Sequence, residues 1–239
     1  MEQPDRIPTA ASTEPQPLLA EDLLLLLFSP EDGTIGGEGT LFYVLGGAVL
    51  TELALSDQVA IEKAGLRGTL VLSVGETPPA DEILRTAWEY SKDKRREVQG
   101  MLTSIGPSLR GQLLESLVDR GDLEREKGKA FGFIPTTTLS EGDTGRRPAL
   151  MSRVQAVLID GAEPDARTAA LAALLSASGA LPTLHREIPW ETDVINRAKA
   201  LEEGDWGAAA ASSAVARTMN AITINAAVAA SVAANAANS

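Results

Sequence analysis

The chain of 239 residues carries 33 acidic and 21 basic side chains, which gives a formal net charge of −12. This balance argues against a protein whose affinity comes from neutralising nucleic-acid phosphates, and it opposes broad attraction to an anionic membrane. The sequence contains no cysteine. It therefore offers no disulfide framework, thiolate nucleophile or cysteine-ligated metal, and this composition suits a reducing cytoplasm.

The sequence predicts neither a signal peptide nor a membrane-spanning helix. No charged segment followed by an apolar stretch opens the chain. The longest apolar runs, residues 23–28 and 41–50, are shorter than the roughly 20 residues needed to cross a bilayer. We therefore expect a cytoplasmic protein, at most peripheral to a membrane, with enough residues to bury a proper core.

The first third of the chain predicts a tail, two helices and a strand. Residues 1–17 contain four prolines among polar residues, which indicates a disordered N-terminal tail. Glu21 and Asp22 open a helix that continues through the leucine run, and the turn at residues 29–33 ends it. A second helix, apolar on most faces and therefore buried, is expected over residues 40–55, followed by a short strand at residues 59–62.

The middle of the chain predicts a second helix and hairpin. After a returning strand at residues 69–74, a single long helix is expected from Asp81 to about Ile105, with a basic later part. Another helix ends near Val118, and paired strands follow at residues 123–126 and 131–134. Strands are thus expected only within about 58–74 and 122–138.

The two helix–hairpin units show the same pattern at an offset of 64 residues. This offset places Leu50 over Leu114, Leu53 over Leu117, and Val59 over Leu123. One interpretation is an internal repeat; the other is that two winged elements share a generic pattern.

The last third predicts a polar loop and further helices. The loop covers residues 140–148, and helices are expected around residues 154–158, over 166–178 and 191–201, and from Trp206 onward. Residues 226–239 are rich in alanine and asparagine and read as a C-terminal tail. The prediction is a mainly α single domain, residues 18–225, decorated by two β-hairpins.

No pattern in the sequence predicts an enzyme or a cofactor. The glycine-rich loop at residues 33–39 lacks the Gly-Lys-Ser/Thr ending of a phosphate-binding loop and follows a helix, so a structural turn is favoured. His185 is the only histidine and has no cysteine or second histidine to join it at a metal. The acidic residues of the last third are scattered at helix ends: Asp160, Glu163, Asp165 and Glu187. DNA binding by a winged helix is disfavoured by the acidic charge and by the buried character of residues 44–55.

The order of motifs resembles the Golgi phosphoprotein 3 (GPP34) family. A leucine run, an acidic turn, a glycine-rich loop, the LGGAVLTELAL segment at residues 45–55, a polar turn and a short strand follow one another. The likeness continues through residues 116–121 and 154–158, and so covers about 18–205. Low aromatic content and many alanines are typical of a GC-rich bacterial source, which favours a bacterial-type member. The resemblance implies a mostly helical fold; eukaryotic members bind phosphatidylinositol 4-phosphate on Golgi membranes and help to retain glycosyltransferases.

The lipid site of that family maps onto four positions of this sequence. Its tryptophan falls at Gly37, its first arginine at Gly46, and its Arg-x-x-Arg pair at Pro107 and Arg110, at the expected start of the helix before the second hairpin. Only Arg110 keeps the residue type. A phosphorylated inositol needs an aromatic wall and bidentate guanidinium contacts, so a weaker contact with anionic headgroups is expected here.

The tip of the second hairpin is the other candidate contact. In the family this tip projects an apolar pair into the membrane, and the matching positions are Ala130 and Phe131, flanked by Lys127 and Lys129. A ring that inserts beside two ammonium groups would form an interfacial anchor; the alternative is that Phe131 packs on the domain.

The expected function is that of a non-enzymatic peripheral membrane or adaptor protein. Its expected lipid-binding residues are Arg110, Lys127, Lys129 and Phe131. The resemblance implies anionic lipid headgroups and the cytosolic tails of membrane enzymes as partners, and no nucleic acid. The alternative is a protein-interaction scaffold without a lipid role.

Overall fold

The computed structural model describes residues 16–63, 69–130 and 134–204. Within these ranges the chain forms seven α-helices and two small antiparallel sheets. The helices are α1 (Leu19–Leu27), α2 (Leu41–Leu55), α3 (Glu82–Lys92), α4 (Val98–Asp119), α5 (Arg146–Leu158), α6 (Ala166–Ala177) and α7 (Thr192–Glu202). The strands are β1 (Val59–Lys63), β2 (Thr69–Ser73), β3 (Arg96–Glu97), β4 (Leu123–Ala130) and β5 (Ile134–Glu141). The prediction of a mainly α protein with two β-hairpins is confirmed.

Several predictions lie partly or wholly outside the described residues. They are the N-terminal tail, most of the predicted strand at residues 131–134 with its contact residue Phe131, the helix from Trp206 onward and the C-terminal tail. None of the described helices has both the length and the apolar character needed to cross a membrane.

The leucine-rich helix α1 forms the centre of the core. All nine of its residues are buried, including Glu21 and Asp22. It packs against α2, α4, α5 and α6, so its apolar side chains meet neighbours on every face. Because full burial of a leucine contributes roughly 1.5–3 kcal/mol, the run that the sequence shows as LLLLL is a main source of stability.

Two glycines allow α2 and α4 to approach each other closely. A Cβ atom added at Gly106 would lie 2.3 Å from the carbonyl oxygen of Phe42, and one added at Gly46 would lie 3.2 Å from Cδ2 of Leu102. The first distance is shorter than any real carbon–oxygen contact. The helices can therefore keep this separation only with glycine at position 106.

The two helix–hairpin units share the same turn, as the 64-residue offset predicts. In the first unit the amide of Gln58 donates to the carbonyl of Leu53 at 2.8 Å; in the second, the amide of Asp122 donates to the carbonyl of Leu117 at 2.9 Å. These two pairs are equivalent at the predicted offset. Both belong to a helix ending that is common in proteins, so they are compatible with an internal repeat and with a generic pattern alike.

The same correspondence extends to the backbone angles and to the strand ends. Asp57 has a φ of 54° and the equivalent Gly121 a φ of 74°, and both therefore adopt the left-handed conformation. The hairpins close in the same way, since Val74 donates to Gln58 and Gly142 donates to Asp122, each at 2.9 Å. The second hairpin is longer, with eight paired residues on each strand against five in the first.

The prediction of a single helix from Asp81 to about Ile105 is wrong. Helix α3 ends at Lys92, the chain extends through β3, which pairs with β2, and α4 begins at Val98. The residues from 91 to 97 include no apolar side chain, so a continuous helix would have nothing to bury there. Instead, the guanidinium of Arg96 lies 4.3 Å from the ring centroid of Tyr90 and donates to its carbonyl at 2.9 Å.

The predicted strand limits and the predicted loop at residues 140–148 also need correction. Strand β3 lies outside both predicted strand ranges, and β5 continues to Glu141, which pairs with Leu123 at the base of the hairpin. Helix α5 already begins at Arg146, with Pro148 in its first turn, where a missing N–H is tolerated. The true loop is therefore only residues 142–145.

Candidate functional site

The structure brings two of the predicted lipid-site regions together. Gly37 lies in the loop between α1 and α2, and Arg110 lies in α4. The residue after Gly37, Glu38, forms an ion pair with Arg110 at 3.0 Å. The loop and α4 therefore meet, as a shared site requires.

The sequence had suggested that Pro107 and Arg110 begin a helix, but in the structure they do not. Helix α4 starts at Val98 and contains Pro107 in its interior, so both positions lie in the middle of a 22-residue helix. The Arg110–Glu38 pair is exposed, with 48% and 59% of the two side-chain surfaces accessible. Such a pair contributes about 0–1 kcal/mol to stability and leaves the guanidinium within reach of solutes.

Gly37 and Gly46 offer no side chain to a ligand. Gly46 is buried between α2 and α4, against Leu102. Gly37 has a φ of 71°, and a Cβ atom there would lie 3.2 Å from the carbonyl oxygen of Ser178. Both glycines therefore have structural reasons to be present, and the aromatic wall and the first guanidinium of the family site have no counterpart at these positions.

The second hairpin carries the remaining predicted contact residues. In its register Lys127 is opposite Thr137, Lys129 is opposite Pro135, and the last pair is Ala130 with Ile134. Lys127 and Lys129 are two residues apart in β4. Phe131 lies outside the described residues.

An ion pair ties the base of this hairpin to α4. Arg125 donates to both carboxylate oxygens of Glu115, at 2.8 and 2.7 Å. This hydrogen bonding lowers the pKa of Glu115 below its ordinary value of 4.5 and raises the pKa of Arg125. The pair fixes the direction in which β4 leaves the helix.

A buried cluster of arginines and carboxylates joins five elements, and the sequence analysis missed it. Asp22 in α1 accepts from Arg146 at 2.6 Å through one oxygen and from Arg167 at 2.9 Å through the other. Arg146 also donates to Asp122 at 2.5 Å, and Thr144 donates to the same carboxylate at 2.6 Å. The starts of α5 and α6 are thereby fixed to α1 and to the turn of the second hairpin.

The same cluster holds the beginning of the described chain. Arg167 donates to Glu52 at 2.8 Å and to the carbonyl of Pro17 at 2.6 Å, while the amide of Leu19 donates to Glu52 at 2.6 Å. Burial works to lower the pKa of Arg167, but the charges of Glu52 and Asp22 outweigh it and raise the pKa above its ordinary value. Each of these carboxylates forms an ion pair with an arginine. The cluster therefore connects elements of the fold and offers no carboxylate that is unpaired and could act as a general base.

Only one feature of the sequence could have revealed the cluster. Glu52 is the single charged residue in α2, and a charge in an otherwise apolar buried helix needs a partner. The sequence analysis assigned Glu21 and Asp22 to an ordinary first turn and Arg146 to a loop. The arginine partners of Glu52 and Asp22 lie more than 100 residues away in the sequence, and the periodicity of apolar residues gives no information at that separation.

Glu187, Asp165 and His185 each have a partner in the structure. Glu187 receives two hydrogen bonds from the buried Arg147, each at 2.8 Å. Asp165 caps α6, as predicted for an acid at a helix start, and accepts from the amide of Thr168 at 2.8 Å. Although burial opposes it, this hydrogen bonding holds the pKa of Asp165 below its ordinary value. His185 is exposed, with Nδ1 3.2 Å from the carbonyl oxygen of Pro182.

The architecture is that of a helical protein in which two helix–hairpin units surround a leucine-rich central helix. In the comparison with protein families, the family described as Golgi phosphoprotein 3 (GPP34) matches residues 19–218. The chain belongs to this family. A comparison with curated proteins gave no match.

Proposed function

We propose that this GPP34 protein is a non-enzymatic peripheral membrane or adaptor protein that binds anionic lipid headgroups weakly. The observation that carries the proposal is the continuity of α4 and the second hairpin. Helix α4 carries the exposed Arg110, and β4, the strand that follows it, carries Lys127 and Lys129 towards the tip of the hairpin.

The placement of the second hairpin supports a contact at its tip. Among the described elements, β4 and β5 pair with each other along eight residues and contact the helical body mainly through α4. The Glu115–Arg125 pair lies near the base of the ribbon. Lys127 and Lys129 follow this anchor along β4 in the direction of the tip, which supports a contact there.

The charges support weak binding. Each lysine or arginine near an anionic membrane contributes roughly 1 kcal/mol, and screening acts within about 10 Å at ordinary salt. Three cations and one inserted ring therefore give a modest attraction, which the net charge of −12 opposes. Glu38 also competes with a headgroup for Arg110.

The geometry supports no preference for one phosphoinositide. Gly37 replaces the tryptophan of the family site, and Gly46, in place of the first arginine, is enclosed between two helices. Without an aromatic wall or paired guanidinium groups, the site has no means to distinguish the position of a phosphate on an inositol ring.

Liposome flotation tests this proposal. Wild type should float with anionic vesicles at low salt, remain unbound with neutral vesicles, and dissociate largely as salt approaches about 0.15 M. The variant Arg110→Ala/Lys127→Ala/Lys129→Ala should lose most of the binding, and Phe131→Ala should lose part of it.

A second triple variant controls for the change in net charge. Lys94→Ala/Arg95→Ala/Arg186→Ala removes three exposed cations elsewhere and should float like wild type. Equal flotation of wild type and the Arg110/Lys127/Lys129 variant, or tight and salt-resistant selection of one phosphoinositide, would contradict the proposal.

The second candidate is a protein-interaction scaffold without a lipid role, favoured by one observation. Trp190, just before α7, is 47% exposed, and large exposed aromatic side chains are enriched at protein interfaces. Absence of flotation on every vesicle composition, together with a loss of partner binding in Trp190→Ala, would favour this candidate.

A further inference from the structure

A cavity of about 160 Å³ lies between α3 and α4. Its inner wall is apolar: Val49 of α2 and Ala87 of α3 are each 1% exposed, and Ile105 and Leu109 of α4 are 7% and 3% exposed. The volume is close to the roughly 150 Å³ of an apolar protein cavity that accepts benzene. This part of the wall fits a hydrocarbon group of about the size of a phenyl ring.

The opening of the cavity is lined by hydroxyl groups. The hydroxyls of Tyr90 and Ser104 lie 2.9 Å apart. Thr86 and Ser108 each donate to a carbonyl of their own helix, at 2.9 and 3.0 Å. These hydroxyl protons are already donated, so the hydroxyl groups can act towards a ligand only as acceptors, through their oxygen atoms. The opening therefore suits a ligand with a hydroxyl or amide donor.

No carboxylate, ammonium or guanidinium group lines this cavity. Arginines or acids line the other three large cavities described in the structure. A charged ligand here would lose its hydration without gaining an opposite charge, which is costly. The ligand must therefore be neutral.

Helix α4 contains a proline beside the cavity. Pro107 lies between the lining residues Ile105 and Ser108, and it has no N–H to donate to the carbonyl four residues earlier. Gly106 and Gly111 flank the same stretch. A helix with this composition can adjust the side chains of its lining residues at lower cost than a regular one.

We propose that this cavity binds a small neutral amphipathic molecule, with a ring or short alkyl group inside and one hydroxyl or amide at the opening. The site is separate from Arg110 and the second hairpin in its chemistry, because it recognises shape and a single donor, whereas those residues attract negative charge. The inference does not depend on lipid binding.

The proposal is tested by titrating the full chain with three probes and monitoring the amide chemical shifts. Benzyl alcohol should shift the amides of Ala87, Tyr90, Ile105 and Leu109, toluene should shift them more weakly, and benzoate should not. Ala87→Leu fills the cavity from α3 and should weaken benzyl alcohol binding at least about tenfold. Thr103→Leu, an exposed change on α4 outside the lining, should bind as wild type.

Tyr90→Phe tests the opening separately and avoids a change of volume. It should reduce the advantage of benzyl alcohol over toluene while leaving toluene binding unchanged. Ser108→Leu provides a second filling variant if Ala87→Leu does not fold. Equal binding of benzoate, shifts that do not centre on the lining residues, or full binding by both filling variants would overturn the proposal.

A vesicle measurement separates a free ligand from a lipid chain. Flotation of Ala87→Leu with neutral and anionic vesicles should equal that of wild type. A loss of flotation in this variant would overturn the proposal, because the cavity would then serve a membrane lipid.

Discussion

The two helix–hairpin units have the same turn but different surroundings. At equivalent positions the first unit has Gln58 and the second has Asp122, and only the aspartate forms an ion pair, with Arg146. The first hairpin is short, and β3 adds a third strand to its sheet. The second hairpin is longer and is held at its base. The first unit thus forms part of a sheet against α3, whereas the second forms a two-stranded arm that is anchored by buried charge.

The largest expected effect comes from removing the anchor of the second unit. Arg146→Ala removes the cation that the buried Asp22 and Asp122 share. Asp22 keeps Arg167, whereas Asp122 keeps the hydroxyl of Thr144, so we expect a loss of about 3 kcal/mol, the lower end of the range for a broken buried pair. Urea unfolding followed by circular dichroism measures the loss. The control, Arg125→Ala, breaks an exposed pair and should cost much less than Arg146→Ala, because solvent screens exposed pairs. Equal losses would mean that the buried cluster is not the anchor.

The next prediction concerns the contact between α2 and α4, the helices of the two units. Gly106→Ala should destabilise the protein by about 1–3 kcal/mol, because its Cβ atom would collide with the carbonyl of Phe42. Gly111→Ala in the same helix has no atom within 4 Å of the added Cβ and should stabilise by up to about 1 kcal/mol. Thermal unfolding of both variants gives the sign of each effect. A neutral Gly106→Ala would contradict the close helix approach.

Exchanging the residues of the shared turn gives a smaller effect. Gly121→Asp places in the second unit the residue type that the first unit has at Asp57. It should cost about 1 kcal/mol, the usual penalty for a side chain in the left-handed conformation. Asp57→Gly should change stability by less than about 1 kcal/mol. If Gly121→Asp instead cost several times this amount in chemical denaturation, the two turns would not be equivalent.

The smallest effect is a titration at the base of the arm. Arg125 lowers the pKa of Glu115 through hydrogen bonding, so the pair contributes its stability above the unfolded-state pKa of this acid and loses it as the pH falls through the lower folded-state pKa. Carbon-13 shifts of the carboxyl group should give a midpoint below 4.5 in wild type and a higher one in Arg125→Ala. A midpoint unchanged by the substitution would show that the pair does not form in solution.

Local patterns predicted the elements, and long-range charges escaped prediction. Helix α2 was predicted to within a residue, because its apolar run and its polar ends are contiguous. The break before α4 was missed because residues 91–97 contain helix-compatible charged residues, and only the pairing of Arg96 with β2 makes the chain extend there. The anchor could not be derived, since Asp22 and Arg146 are 124 residues apart and no periodicity connects them.

The candidate site remains a prediction. Alignment with the family assigned Gly37 and Arg110 to one site, and in the structure the residue after Gly37 pairs with Arg110. It could not reveal that Glu38 occupies Arg110 or that Gly46 is enclosed, since both facts depend on the distance between α2 and α4. The predicted tip residue Phe131 remains a prediction.

The close approach of α2 and α4 also restricts which residue position 46 can hold. A Cβ atom there would already lie 3.2 Å from Cδ2 of Leu102, so a long side chain at position 46 would collide with α4. Such a side chain could be accommodated only if the two helices moved apart, which would cost packing energy. The residue at position 46 and the spacing of the two helices are therefore coupled, and neither can change alone.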